Sequence, residues 1–263
     1  MAGTAAQGLN GDTPPAVCQG CKTTGDIPAF TMAFQPIVSL TSGLSPTIWG
    51  YEALVRGEAG EGAASVLAQV TEETVYQFDQ ACRVRAIEIA GALGLDAVTK
   101  LSINFMPNAV YEPAACIKAS LAAAGRAGLR ADQLMFEFTE TERFADIGHV
   151  ANIIARYRQM GMVTALDDFG SGYSGLVRLA GLHPDLLKID IGLVRGIDTD
   201  PRRRAIVGAV LALAGELDIR VIAEGVETEG ECRTLSAAGV DLFQGFYFGH
   251  PQIGALPRLT LNA

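Results

Sequence analysis

Five carboxylates, two amides and one lysine stand out in this chain, because each falls near the end of a short apolar or β-branched run. Glu52 lies near the end of TIWGYEALV (47–55), Asn104 closes KLSIN (100–104), and Glu137 lies near the end of QLMFEF (133–138). Asp167 closes VTALD (163–167) with Asp168 directly after it, and Lys188 belongs to LLKI (186–189). Glu224 closes RVIAE (220–224) and Gln244 closes DLFQ (241–244). If these ends meet, the carboxylates repel one another. Two like charges ~4 Å apart cost ~4 kcal/mol at an effective dielectric of 20, so such a cluster needs protons or cations. Hard oxygen donors with an amide carbonyl suit Mg²⁺ or Mn²⁺, and no thiolate or imidazole stands among them to select zinc. The adjacent pair Asp167 and Asp168 can serve two ions, or one of them can bridge two. Two ions stabilise both the attacking and the leaving oxygen of a phosphoryl displacement. Lys188 beside them can orient a water. The bland alternative, surface carboxylates with a structural salt bridge to Lys188, requires all these strand ends to be polar by accident.

The elements that must bring these residues together follow from the same runs. MAFQPIV (32–38) precedes the seven above, giving eight strand candidates. Helix candidates separate most of them: Glu72–Leu93, His149–Met160 and Arg202–Leu217 carry apolar residues at helical spacing. The last has Asp200 as its N-cap and Pro201 at its first position. Arg202, Arg203 and Arg204 at that end oppose the helix dipole and read as a solvated or interface feature. Strands alternating with helices imply parallel pairing through crossover helices. The first two strands are joined by SLTSGLSP, too short for a crossover, and should pair antiparallel. The expected fold is therefore α/β, a TIM-like (β/α)8 barrel with the first strand antiparallel. In such a barrel the strand ends gather on one face, where catalytic residues sit.

Composition narrows the function classes. The chain has 263 residues, 49% hydrophobic, enough for one large core, and its formal charge of −9 leaves no basic face for a polynucleotide or an anionic membrane. Its longest apolar run, Ala205 to Gly215, falls short of the roughly twenty residues a spanning helix needs. The N-terminus has neither the basic start nor the apolar segment of a signal peptide. Five scattered cysteines fit a reducing compartment, so a cytoplasmic location is expected. Residues 1–30 read as a flexible leader and 31–263 as the barrel. Cys18 and Cys21 in the leader are half a zinc site without a second pair.

Gly170-Ser-Gly172-Tyr-Ser-Gly175 matches a dinucleotide-binding fingerprint, with Asp190 some twenty residues on. Asp167 and Asp168 stand directly before it, where a pyrophosphate would meet two anions, so a tight-turning loop is the better reading. No nucleophile elbow and no H-E-x-x-H occurs. His149, His183 and His250 are isolated and read as structural.

YEALVRG (51–57), INF (103–105), EFTETE (137–142), DDFGSGYSGL (167–176), LKID (187–190), VIAEGVET (221–228) and QGFYFGHP (244–251), in this order, resemble the EAL-domain cyclic di-GMP phosphodiesterases. FQPIV (34–38) resembles that family's first strand. The resemblance implies hydrolysis of cyclic di-GMP to linear pGpG with two Mg²⁺ or Mn²⁺ ions. It implies Glu52, Asn104, Glu137 and Asp167 as ligands of one ion. Asp167 would bridge to a second ion held with Asp168, and Glu224 would complete or polarise that side, as a ligand and a catalytic group. Lys188 would steer the nucleophilic water, and Gln244 matches a glutamine needed for activity. Arg56 would meet a substrate phosphate, with Gln35, Leu54 and Pro251 flanking the nucleotide. Glu140 matches an anchor of the glycine-rich loop, and Glu227 would support the ligands from behind. A homodimer and a sensory or regulatory protein partner are implied as well. Gly57 after the motif arginine, with the short GEAGEGAASVLAQ, is similar to the subgroup attached to blue-light-sensing modules. Gly175 stands where a serine is frequent; neither departure touches an implied ligand. Family members that lose ligands act as silent cyclic di-GMP receptors signalling through a partner, whereas here every implied ligand is present.

Overall fold

The computed structural model describes residues 25–41, 45–107, 116–139, 146–172 and 175–260. Cys18, Cys21 and Glu140 lie outside the described residues. The strands are β1 (Thr31–Ser39), β2 (Thr47–Arg56), β3 (Lys100–Asn104), β4 (Leu134–Thr139), β5 (Val163–Phe169), β6 (Leu186–Ile189), β7 (Arg220–Ala223), β8 (Leu242–Gln244) and the short β9 (Gln252–Ile253). The helices are α1 (Ala63–Leu67), α2 (Val75–Ala92), α3 (Lys118–Ala127), α4 (Ile147–Gln159), α5 (Gly175–Gly181), α6 (Ile191–Val194), α7 (Pro201–Glu216) and α8 (Glu229–Ala237).

β2 through β8 run parallel, each beside the next. β1 is antiparallel to both β2 and β8 and closes the cylinder between them. The reversed first strand expected from the short β1–β2 link is thus present. β9, which the sequence reading omits, adds to β1 where Phe34 faces Gln252.

Strand alternation sorts the side chains into two environments. One set points outward beneath the helices: Leu101 and Ile103 of β3, Phe136 and Phe138 of β4, Leu187 and Ile189 of β6. α4 packs on it through Val150, Ile153, Ile154 and Tyr157, a stripe at helical spacing. The other set fills the barrel, where Ile37, Met135, Ala165, Leu186, Ile222 and Leu242 form a separate apolar cluster. Two residues along, the same inward positions carry Glu137, Asp167, Lys188, Glu224 and Gln244. On β1, which runs the other way, Gln35 takes that level two residues before Ile37.

The ends of α7 explain its arginines. Asp200 caps the helix by accepting from the N–H groups of Arg202 (2.8 Å) and Arg203 (3.3 Å), with Pro201 at the first position. Arg203 and Arg204, expected above to be a solvated or interface feature, make hydrogen bonds within the chain. Arg203 donates to the carbonyls of Gly192 (2.7 Å) and Arg195, and Arg204 to those of Ile197 (3.0 Å) and Asp198 (2.8 Å). They satisfy the turn that follows α6, where carbonyls would otherwise lack donors.

Candidate active site

Lys188 is the hub of the inner polar level, and it is fully buried. Its Nζ lies 2.7 Å from Glu137, 2.8 Å from Glu224, 3.1 Å from Asp167 and 3.6 Å from Glu52. β6 supplies the lysine; the carboxylates come from β4, the exit of β7, β5 and β2. Burial alone would depress the ammonium pKa, but the surrounding carboxylates outweigh it and hold the group charged, well above its ordinary value. Burial pushes the carboxyls of Glu137 and Glu224 upward, with Lys188 opposing. The salt bridge set against a metal site in the sequence reading is therefore present, at the barrel mouth rather than on the outer surface.

Amides tie the remaining oxygens. Asn104 Nδ2 donates to Glu52 Oε1 at 2.9 Å, and Gln244 Nε2 to Glu52 Oε2 at 2.6 Å. Ser102, two residues before Asn104 on the same inward face, donates its hydroxyl to Glu137. The sequence reading passed over Ser102, although the alternation of KLSIN marks it as inward.

Asp167 and Asp168 serve one site through a backbone irregularity. Successive strand residues normally face opposite sides, but the β5–β6 register slips between Leu166 and Phe169. Asp168 takes a left-handed φ of 56°, tolerable for aspartate, and its N–H donates to Asp167 Oδ1 at 2.9 Å. Asp167, Asp168 and Glu224 each offer a carboxylate oxygen within 4.8 Å of the others. Burial and Asp167 raise the Asp168 carboxyl to about 6. Close, hard carboxylate oxygens, more of them than the single Lys188 ammonium can balance, are a donor set that suits Mg²⁺ or Mn²⁺, so these residues fit a divalent cation.

The mouth opens into a cavity of about 250 Å³, lined by residues that include Gln35, Glu52, Asp168, Glu224, Glu227 and Gln244. Asp190 also lines it and caps α6 by accepting from Gly192 N–H at 2.8 Å, which gives it a local role unrelated to a dinucleotide ribose. Gly245 follows Gln244 at φ 156°, where an added Cβ would sit 2.1 Å from the Val226 carbonyl oxygen. Only glycine permits that approach, which fixes the exit of β8 against the loop carrying Glu224.

That loop has further supports the sequence reading missed. The buried Glu231 accepts from the N–H groups of Gly196 (2.8 Å), Glu227 (2.9 Å) and Thr228 (3.1 Å). It thereby joins the segments that follow Lys188 and Glu224. The Thr228-x-x-Glu231 capping box was a legible signal for it. Arg195 pairs with Glu227 beside it.

The structure does not gather every expected residue here. Leu54 lines a second, apolar cavity of about 400 Å³ with Met32, Phe78 and Cys82, which Asn104, although bonded to Glu52 in the cluster, also borders. Arg56, at the end of β2, donates to the carbonyl of its neighbour Val55 at 2.7 Å, and Pro251 lies just before β9. Neither lines the smaller cavity among the described residues.

A sequence profile of the EAL domain matches residues 26–251. The chain belongs to the EAL domain family. This EAL domain is 48% identical to a standalone EAL protein from Vibrio cholerae O395 solved with c-di-GMP bound. The match has a TM-score of 0.84 and covers 90% of this chain and 98% of that one. Klebsiella pneumoniae BlrP1, solved at pH 6 as a manganese/cy-diGMP complex, is 35% identical with a TM-score of 0.80, over 88% of this chain and 57% of that one. The blue light- and temperature-regulated antirepressor BluF of Escherichia coli is 30% identical over 87% of this chain and 56% of its own. Further relatives are named cyclic di-GMP phosphodiesterases. The curated relatives are longer proteins, of which the chain spans about half or less.

Proposed function

We propose that this chain is a divalent-cation-dependent phosphodiesterase that hydrolyses cyclic di-GMP to linear pGpG. The observation that carries this reading is the convergence of Asp167, Asp168 and Glu224, oxygens within 4.8 Å, beside a buried Lys188. The standalone Vibrio cholerae relative, whose whole length this chain nearly matches, was solved with c-di-GMP, which supports the choice of substrate.

Two Mg²⁺ or Mn²⁺ ions would be held by Glu52, Asn104, Glu137, Asp167, Asp168 and Glu224, and would supply positive charge against the oxygens of the displacement. The chain's own groups do the rest. Lys188 holds the carboxylates in register and orients the attacking water, whose oxygen forms the new bond to phosphorus as the bridging ribose oxygen leaves. Gln244 takes part at the cavity edge. Arg56 meets a phosphate, while Gln35, Leu54 and Pro251 flank the nucleotide. Glu227, braced by Arg195, supports the Glu224 loop. The barrel of residues 31–263 acts in the cytoplasm behind a leader of residues 1–30, as a homodimer responding to a sensory or regulatory partner. Among the described residues no helix is long and apolar enough to cross a membrane.

The rival reading is a silent cyclic di-GMP receptor signalling through a partner protein; that a relative, BluF, is named an antirepressor keeps a non-enzymatic reading in view. Retention of the full carboxylate set favours the enzyme, because a receptor has no need of it. Incubation with cyclic di-GMP and Mn²⁺ should release a product one water heavier, and EDTA should stop it. Tight binding with no such product would favour the receptor.

A further inference from the structure

Gln244 is 4% exposed, and its Oε1 has no hydrogen-bond partner among the described residues. Its Nε2 is doubly engaged, at 2.6 Å from Glu52 Oε2 and 3.2 Å from Gln35 Oε1. By shape alone an amide can be turned end for end; only its neighbours' donor and acceptor chemistry decides. Here that chemistry can be followed link by link. The Gly249 carbonyl only accepts, so Gln35 must turn its Nε2 toward it, at 3.2 Å. Gln35 Oε1 is then the atom left facing Gln244, while Glu52 presents a carboxylate that also only accepts. Both demand the Gln244 nitrogen. The Gln244 oxygen is left over, in a side chain lining the cavity that holds Asp168 and Glu224. A buried acceptor without a donor is destabilising, so the arrangement is useful only if a donor arrives during turnover.

We propose that Gln35 is a positioning residue: anchored by the Gly249 carbonyl, it sets the orientation of the Gln244 amide so that Oε1 is held as an acceptor for the attacking water. This role is additional to any contact of Gln35 with a nucleotide, and it rests on the phosphodiesterase reading above. Sequence reading had no access to it, because Gln35 lies more than two hundred positions from both Gln244 and Gly249 and meets them only when β1 closes the barrel.

The test is a double-variant cycle on cyclic di-GMP turnover, with ligand affinity measured separately by calorimetry in Ca²⁺. Gln35→Met should lower kcat about tenfold, the size of one misdirected hydrogen bond, and Gln244→Met should lower it further. The double variant should be no slower than Gln244→Met alone, since Gln35 acts only through Gln244. Multiplied losses in the double variant would overturn the proposal. So would a raised KM and weakened calcium-supported binding at unchanged kcat, which a nucleotide contact alone produces. If Gln35→Met does not fold, Gln35→Ala carries the same cycle with the same two outcomes. Absence of turnover in the wild type, by contrast, would strike the phosphodiesterase reading itself.

Discussion

Ile37, Met135, Ala165, Leu186, Ile222 and Leu242 form an apolar layer inside the barrel, and one pleat along the same strands lies a charged one. The backbone is shared; only the side chains change. In the apolar layer the larger side chains each contribute roughly 1.5–3 kcal/mol by burial, with little demand on identity beyond volume. In the charged layer the opposite holds. Lys188 and the carboxylates each pay desolvation, and the ion pairs return stability only while every partner is present. The fold's inner stability therefore comes from a layer that is easy to satisfy, and it supports one that is costly and chemically useful.

Removing the hub should separate the layers most sharply. Lys188→Ala leaves its carboxylates without their ammonium, which should cost about 3–5 kcal/mol. Turnover should fall by about 10²–10³-fold or more. Added Mn²⁺ should raise the melting temperature of the variant more than that of the wild type without restoring turnover. Recovery of turnover along with stability would reduce Lys188 to a charge balance. Glu52→Ala should also abolish hydrolysis, through a lost cation ligand, yet leave the barrel folded, as circular dichroism would show. Normal activity in clean protein would remove Glu52 from the ligand set.

Met135→Ala, one pleat below Glu137, should do the reverse. A cavity in the apolar layer should cost about 2–5 kcal/mol by denaturant unfolding, with kcat per folded molecule unchanged. A comparable loss of kcat would mean the two layers are mechanically coupled. Glu231→Ala gives the smallest effect, about 1.5–3 kcal/mol for hydrogen bonds to a charged group. Its pH dependence is specific. Burial would raise the Glu231 carboxyl, but the backbone N–H groups of Gly196, Glu227 and Thr228, with Arg195, hold it below its ordinary value. A depressed carboxyl stabilises the fold above its unfolded pKa, and that share is lost as pH falls through the folded pKa. The gap between wild type and variant should be full at neutrality and close below about pH 4. A gap independent of pH would show that bulk rather than charge matters there.

Much of this was legible before folding. Their places near strand ends marked Glu137 and Lys188 as candidates for one face of the barrel, and Asp200–Pro201 announced α7. The short link after β1 announced its reversal. Less legible was the Asp167–Asp168 pair, since alternation alone sends adjacent residues to opposite faces and only the register slip in β5 brings both to one site. Glu231 carried a capping-box signature, but nothing local said that its other oxygen would reach Gly196. The arginines at the start of α7 read as a solvated or interface feature; the carbonyl partners of Arg203 and Arg204 lie in α6 and the turn after it, and their geometry depends on how α6 sits.

What the sequence determined by itself was the inventory: which strand carries which donor, how far along, and on which side. Those depend on covalent order and the two-residue pleat, which are local. Only the closed structure decided the pairings: Lys188 among carboxylates from four other strand ends, Gln35 against Gln244, and Leu54 in a different cavity from Gln35. Distances between strands remote in sequence depend on stagger and closure of the whole cylinder, and the sum of many packing contacts sets them where no single segment can.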